Sequence, residues 1–552
     1  MLNSSETEIE PTETIGTRCL RGRISRVIAV MVMALLIAPS LAAERTSADS
    51  DTHYQSATAD DIGVVPGFPL RHHLDQHTIT RTPVGEITEL GQKLFNATYN
   101  LLDGAGANLS GDAAGTIRFT RLPRMDLPGF ASNPTRTSGP NSQNCVACHH
   151  GPYPGGAGAL IDKEIRDSLR IGDPRKYIQR DPLSLFGSGA LQLLAEQFTQ
   201  ELKTLRESAI AKARRTGQSV SVDLVTSNIV NYGRLVARPS GEIDTSGVSG
   251  IDPDLIVRPY TWKGAFMTFL RPLVSLGTDT EMGLQSVEFF GENTDFDNDG
   301  FVNEMTVGDI TAMTLYIATL PRPVEELELS SFLGGQHRLP PAQIAAIQRG
   351  EKMFSTIGCA SCHQPTMKLK NPQFREPSAF PEHRFPMFPS GQNPVALGLD
   401  PRNPVVVDLA LNPQVGNVRN DAACRENAAR YSRENRSGNF CFLQYEIDRD
   451  NDVVVSLYGD LKRHDMGPGL AENIDEAGTG SSVWKTRELW GTGSTGPWLH
   501  DGRATTLDEA ILWHGGEAET ARNRYVALSG SDKRDVIRFL KNLILFTPDS
   551  TR

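Results

Sequence analysis

Two short strings in this chain have the residue types and spacing for redox chemistry. Cys145-Val-Ala-Cys148-His149 and Cys359-Ala-Ser-Cys362-His363 both read C-x-x-C-H. This is the spacing for covalent attachment of a c-type haem. Two thiols on one turn reach the two vinyl groups of the ring, and the adjacent imidazole then sits beneath the iron. A zinc site or a redox dithiol would not demand His directly after the second Cys in both copies. Two covalently bound haem c groups are therefore the expected cofactors, with His149 and His363 as iron ligands. A third string, Asp295-Phe-Asp297-Asn-Asp299-Gly300-Phe301-Val-Asn303-Glu304, places carboxylates at alternating positions before a glycine. Asp295, Asp297, Asp299, Phe301 and Glu304 are its candidate calcium ligands, in a loop shorter than a full EF-hand. An exposed acidic turn is the alternative reading.

The elements that must hold these strings repeat. Gly350-Glu-Lys-Met-Phe354 precedes the second attachment string, and Gly91-Gln-Lys-Leu-Phe95 is nearly the same sequence in the first half. Such self-similarity marks an internal repeat. Cys359 follows Gly350 by nine residues, whereas Cys145 follows Gly91 by 54, so the first copy carries a Gly- and Pro-rich insert. Each half closes with an amphipathic helix, over 307–320 before Pro321 and over 532–546 before Pro548. The expected fold class is mainly α, with two cytochrome c-like haem domains, long loops and insertions. The expected divisions are a leader at 1–42, an N-terminal extension at 43–84, a first haem domain at 85–323, a linker at 324–340 and a second haem domain at 341–552.

Composition narrows the setting. The 552 residues are 39% hydrophobic and 22% charged, with a net charge of −11. This excludes a membrane bundle and a disordered chain, and it argues against nucleic acid as a partner. Arg18, Arg21, Arg23 and Arg26 precede the twelve-residue apolar run 27–38, and Ser40-Leu41-Ala42 offers a cleavage site. These features read as a secretory signal peptide, with an uncleaved anchor as the alternative. Periplasmic export is expected, with no stable membrane span after cleavage. Of seven cysteines, Cys19 leaves with the leader and four serve the haems. Cys424 and Cys441 are then expected to pair, a disulfide worth about 3 kcal/mol; two free thiols are the alternative.

Longer strings resemble a known family. They are Leu457-Tyr-Gly-Asp-Leu-Lys-Arg-His-Asp-Met-Gly-Pro468, Trp484-Lys-Thr-Arg-Glu-Leu-Trp490 and Pro497-Trp-Leu-His-Asp-Gly-Arg503. With them, residues 85–548 resemble the bacterial di-haem cytochrome c peroxidase and MauG superfamily, most closely its di-haem oxidoreductase branch, also called thiol oxidoreductase. The resemblance implies that His514, fourteen residues past His500, is the second axial ligand of the C-terminal haem, where the family often has Met. Two imidazoles should lower the potential relative to His/Met. It implies that Glu281, in Glu-Met-Gly, lines the distal pocket of the N-terminal haem as a proton carrier. Arg271 stands where the family often has Gln, and could stabilise developing negative charge. Trp262 falls near the tryptophan that bridges the two haems. Thr495-Gly-Pro497 matches a calcium-binding Thr-x-Pro between them. His464 and Met466 belong to the branch motif without an assigned role.

No His occurs between 151 and 336, which leaves the first iron open to a small oxidant. The expected function is therefore reduction of hydrogen peroxide at the N-terminal haem, with electrons relayed through the C-terminal haem. A small donor protein, a cytochrome c or a cupredoxin, would supply them. The alternatives are a di-haem oxidase or oxygenase using oxygen on an organic or protein substrate, MauG-like or rubber-oxygenase-like, and a pure electron-transfer cytochrome.

Overall fold

The computed structural model describes residues 70, 72–105, 120–121, 137–138, 142–158, 179–265, 267–295, 300–383, 388–411, 444–475 and 477–547. The expectations placed on the leader, Cys19, Asp297, Asp299, Cys424 and Cys441 concern residues outside this set. Its α-helices are α1 (Gln76–Ile79), α2 (Val84–Asn96), α3 (Ser188–Thr216), α4 (Leu270–Met282), α5 (Val287–Phe290), α6 (Val307–Ala318), α7 (Glu326–Phe332), α8 (Pro341–Ile357), α9 (Leu507–Leu512), α10 (Glu519–Val526) and α11 (Gly530–Asn542). Several two- and three-stranded antiparallel sheets join them.

Glycine decides where the two principal helix pairs cross. Helix α2 buries Ile87, Leu90, Leu94 and Phe95 on one stripe and packs on α6, which is buried all round. At the crossing, a Cβ on Gly91 would collide with the Ala312 carbonyl and the Tyr316 Cβ. Helix α8 crosses α11 in the same way, with Gly350 against the Asp535 carbonyl and the Phe539 Cβ. Four residues on, the aromatic partners also match. Phe95 lies 5.4 Å from Tyr316 at 56°, and Phe354 lies 5.3 Å from Phe539 at 56°. The repeat in the sequence is thus a repeat of packing.

Capping fixes where these helices begin and end. Thr306 caps α6, its side chain accepting from Asp309 N while Asp309 accepts from Thr306 N. The other Asp309 oxygen takes Leu74 N, tying the segment before α1 to the same helix. Pro341 opens α8, and Gly358 closes it at φ 100°, a left-handed turn that places Cys359 immediately after.

Two buried clusters form around the two pairs. The larger holds Leu90, Phe95, Leu194, Phe198 and Ile310, together with Phe374, Val453 and Leu457 from after α8. The smaller holds Ile347, Phe354, Tyr525, Val536 and Phe539. The stretch 324–340, expected as a linker, is instead built structure. Val324–Glu325 pairs with Leu543–Ile544, and α7 follows, with Arg322 holding Glu328 at 2.7 Å. Arg538 of α11 holds Glu326 of α7. Among the described residues, no helix is long and apolar enough to cross a membrane.

Candidate functional site

Each attachment string folds as one tight turn. Cys145–Ala147 is a 3-10 turn whose Asn144 side chain accepts from Ala147 N at 2.7 Å, and His149 N donates back to the Cys145 carbonyl. Cys359–Ser361 repeats the turn, with His363 N donating to the Cys359 carbonyl. The four cysteine side chains are half-buried. Burial pushes the Cys145 thiol up to about 12 and the Cys359 thiol up to about 11.

The imidazoles are oriented from behind. His149 Nδ1 lies 2.9 Å from the Leu183 carbonyl and His363 Nδ1 lies 3.1 Å from the Tyr458 carbonyl. A carbonyl only accepts, so each Nδ1 carries the proton and Nε2 is left for a metal. Phe95 and Phe354 stand 6.5 and 6.2 Å from these rings. Burial lowers the pKa of His149; burial and then the neighbouring His514 lower that of His363 to about 4. Both rings are therefore neutral, the form that binds iron.

His514 meets His363. It follows α9, its Nδ1 is committed to the Ala510 carbonyl at 2.7 Å, and burial lowers its pKa. The two ring centres are 6.5 Å apart at 54°. Two metal–imidazole bonds of about 2 Å each, plus the nitrogen-to-centre distances of the rings, account for that span. A cavity of about 450 Å³ opens beside them, walled by Phe354, Ile357, Leu489, Trp498, Leu507 and Ile511. Paired thiols, facing neutral imidazoles and apolar walls fit a covalently held haem.

The cavity continues toward the first turn. Trp262 lines it and donates Nε1 to the Asp181 carbonyl at 2.8 Å, two residues before the Leu183 that holds His149. His500 lies edge-on to Trp262 at 6.5 Å and stacks on Trp484 at 3.9 Å and 19°. Burial depresses His500 to about 3, so it stays neutral, while the Lys263 ammonium sits 3.9 Å over the far face of Trp484. Trp484 and His500 were quoted in the motif strings but carried no role there. The Leu183 and Tyr458 carbonyls had no sequence signal, because a carbonyl has no residue type.

Other expected residues separate. Glu281, half-buried at the end of α4, accepts from Thr280 Oγ1 at 3.0 Å, and its charge helps raise the Cys145 thiol, so it stands beside the first turn. His150 turns back onto the Val146 and Ala147 carbonyls. Arg271 requires a correction. It is wholly buried, binding Glu376 and Thr311 at 2.7 Å each, the Val307 carbonyl at 3.0 Å, and Glu288. Its charge is spent on a structural ion triad and is not available to a reacting oxygen. Of the acidic loop, Asp295 accepts from Gly300 N and the buried Glu304 accepts from Gln285 N, while Phe301 is half-buried. Thr495 and Pro497 line the cavity near Trp498.

Among the described residues, one group offers three close metal-ligand atoms, Cys362, Asp460 and His464. A thioether at Cys362 would remove its thiolate from that set. Met466 lines the same cavity as His464.

Residues 437–543 match the family model described as "Di-haem oxidoreductase, putative peroxidase". Over these residues the chain carries the di-haem oxidoreductase signature that its motif strings resemble. Among solved structures, the "Crystal structure of a MauG-like protein associated with microbial copper homeostasis" is similar at 14% identity. That likeness covers 66% of this chain and 91% of the other, with a TM-score of 0.24. No curated protein matches.

Proposed function

We propose that this chain is an exported c-type di-haem oxidoreductase that reduces hydrogen peroxide at its N-terminal site, fed with electrons through its C-terminal site. The observation that carries the reading is the contrast between the two attachment turns. His363 faces a second imidazole, whereas the described residues place no second imidazole opposite His149 and put the carboxylate of Glu281 nearby.

When bound, haem supplies an iron that exchanges electrons and, where one face is open, accepts peroxide. Cys145, Cys148 and His149 would hold the first; Cys359, Cys362, His363 and His514 the second. Glu281 would take a proton from the incoming peroxide and return it to the departing oxygen. Two electrons and two protons convert each peroxide to two waters. Trp262, His500 and Trp484, which line the cavity, would carry electrons between the two sites. Leu512 and Trp513, 43% and 41% exposed beside His514, offer an apolar face for a small cytochrome c or cupredoxin. A calcium at the acidic loop, or at Thr495 and Pro497, would be structural.

The test is steady-state turnover of peroxide with a reduced small cytochrome. Glu281→Gln should slow peroxide cleavage by about 10²-fold with two haems still bound per chain. Wild-type rates in that variant would reduce Glu281 to a bystander. Oxygen uptake with an organic substrate and no peroxide turnover would instead select the oxygenase reading.

A further inference from the structure

The sequence left His464 without a role, and the geometry supplies one. His464 stands on the strand Arg463–Asp465, directly across from Trp484 on Val483–Lys485. Both ring nitrogens face carboxylates: Nε2 lies 2.9 Å from Asp460 and Nδ1 lies 2.7 Å from Glu517. Carboxylates accept, so both nitrogens donate and the ring carries charge. Such charge-assisted bonds are among the stronger ones available to side chains. Asp460 is itself fixed by Lys462 N at 2.9 Å.

Glu517 is the informative partner. It lies three residues past His514, after Gly515 and Gly516. One of its oxygens takes His464 and the other takes Asp465 N at 2.9 Å, so a single carboxylate spans two successive residues of the strand. The backbones are pressed together at the same place. A Cβ on Gly516 (φ 52°) would collide with the Asp465 carbonyl, and one on Gly515 would come within 2.9 Å of the Met466 carbonyl. On its other side His514 is held by Ala510 through Nδ1. Without Glu517, only a Gly-Gly link, the most permissive backbone available, would join the ligand to the strand.

We propose that His464 is a positioning residue: gripped between Asp460 and Glu517, it clamps the Gly515–Glu517 turn so that His514 stays facing His363. This deepens the proposed function, since it rests on His363/His514 as the axial pair of the second haem. It gives the His464-Asp-Met-Gly467 string a task at the ligand it does not itself provide.

The test uses the purified holoprotein, read by ferric EPR and by carbon monoxide binding after reduction. His514→Ala should convert the second haem from low-spin to high-spin and make it bind carbon monoxide; an unchanged spectrum there would overturn the axial-pair reading. Given that conversion, His464→Ala should retain two haems per chain and raise carbon monoxide affinity at the second haem by about tenfold, with a partial high-spin signal. Glu517→Gln, which keeps one acceptor, should fall between wild type and His464→Ala. A His464→Ala protein with wild-type spin state and carbon monoxide binding would overturn the clamp. Should His464→Ala fail to load haem, Glu517→Gln decides alone: wild-type carbon monoxide binding in that variant would overturn it.

Discussion

Among the described residues, His150 as well as His149, His363 and His514 holds Nδ1 against a backbone carbonyl. In His149, His363 and His514 this fixes the tautomer and would leave Nε2 for iron in the proposed function. The identity of the opposing ligand then sets the potential. His514→Met should leave both haems attached and raise one midpoint potential, because a thioether stabilises reduced iron better than a second imidazole. A redox titration indistinguishable from wild type would remove His514 as a ligand. Arg271 teaches the opposite lesson. One guanidinium serves two buried carboxylates, and burial lifts Glu288 to about 7 despite the opposing pull of Arg271. A carboxyl whose folded pKa is raised contributes stability that is present below its unfolded value and lost as pH rises through the folded value. Wild type should therefore lose stability relative to Glu288→Gln between about pH 4.5 and 7, with the gap flat above that window. Denaturant melts showing a pH-independent gap would contradict this.

At the level of elements, two glycines set where the principal helices cross. Gly91 and Gly350 each stand where a side chain would strike the backbone of the crossing helix. Gly350→Ala should push α8 from α11, cost about 1–3 kcal/mol as overpacking, and lower haem loading at the second site. Gly85→Ala in α2, where nothing lies within 4 Å of the new methyl, should be neutral or slightly stabilising. Thermal melts and haem content measure both; equal effects of the two substitutions would show that the crossing is not the constraint. Much of this level was readable in the sequence. The attachment strings and the Gly-x-x-x-Phe repeat are local, so spacing alone exposes them. Arg271 was misjudged because its partners, Glu288 and Glu376, lie 17 and 105 residues away. Position relative to a motif cannot show which charges meet in three dimensions. The strand at Val324–Glu325 was hidden for the same reason, since its partner is Leu543–Ile544.

At the scale of the molecule, the two attachment turns are alike in construction and unlike in surroundings. The second is closed by His514 and the turn that Glu517 secures; the first has Glu281 at hand and the loop bearing Leu183 behind its imidazole. The cavity beside His363 is also lined by Trp262, Trp484 and His500, and the Asp181 backbone bonds both Trp262 and the His500 carbonyl. On the proposed reading, this asymmetry would let one site relay electrons and the other react. The most direct measurement is the EPR spectrum of the fully oxidised holoprotein, both irons ferric, recorded with and without hydrogen peroxide. One low-spin bis-imidazole signal is expected, with a separate signal from an open haem that changes when peroxide is added. Two low-spin signals, both indifferent to peroxide, would contradict it and leave a pure electron carrier.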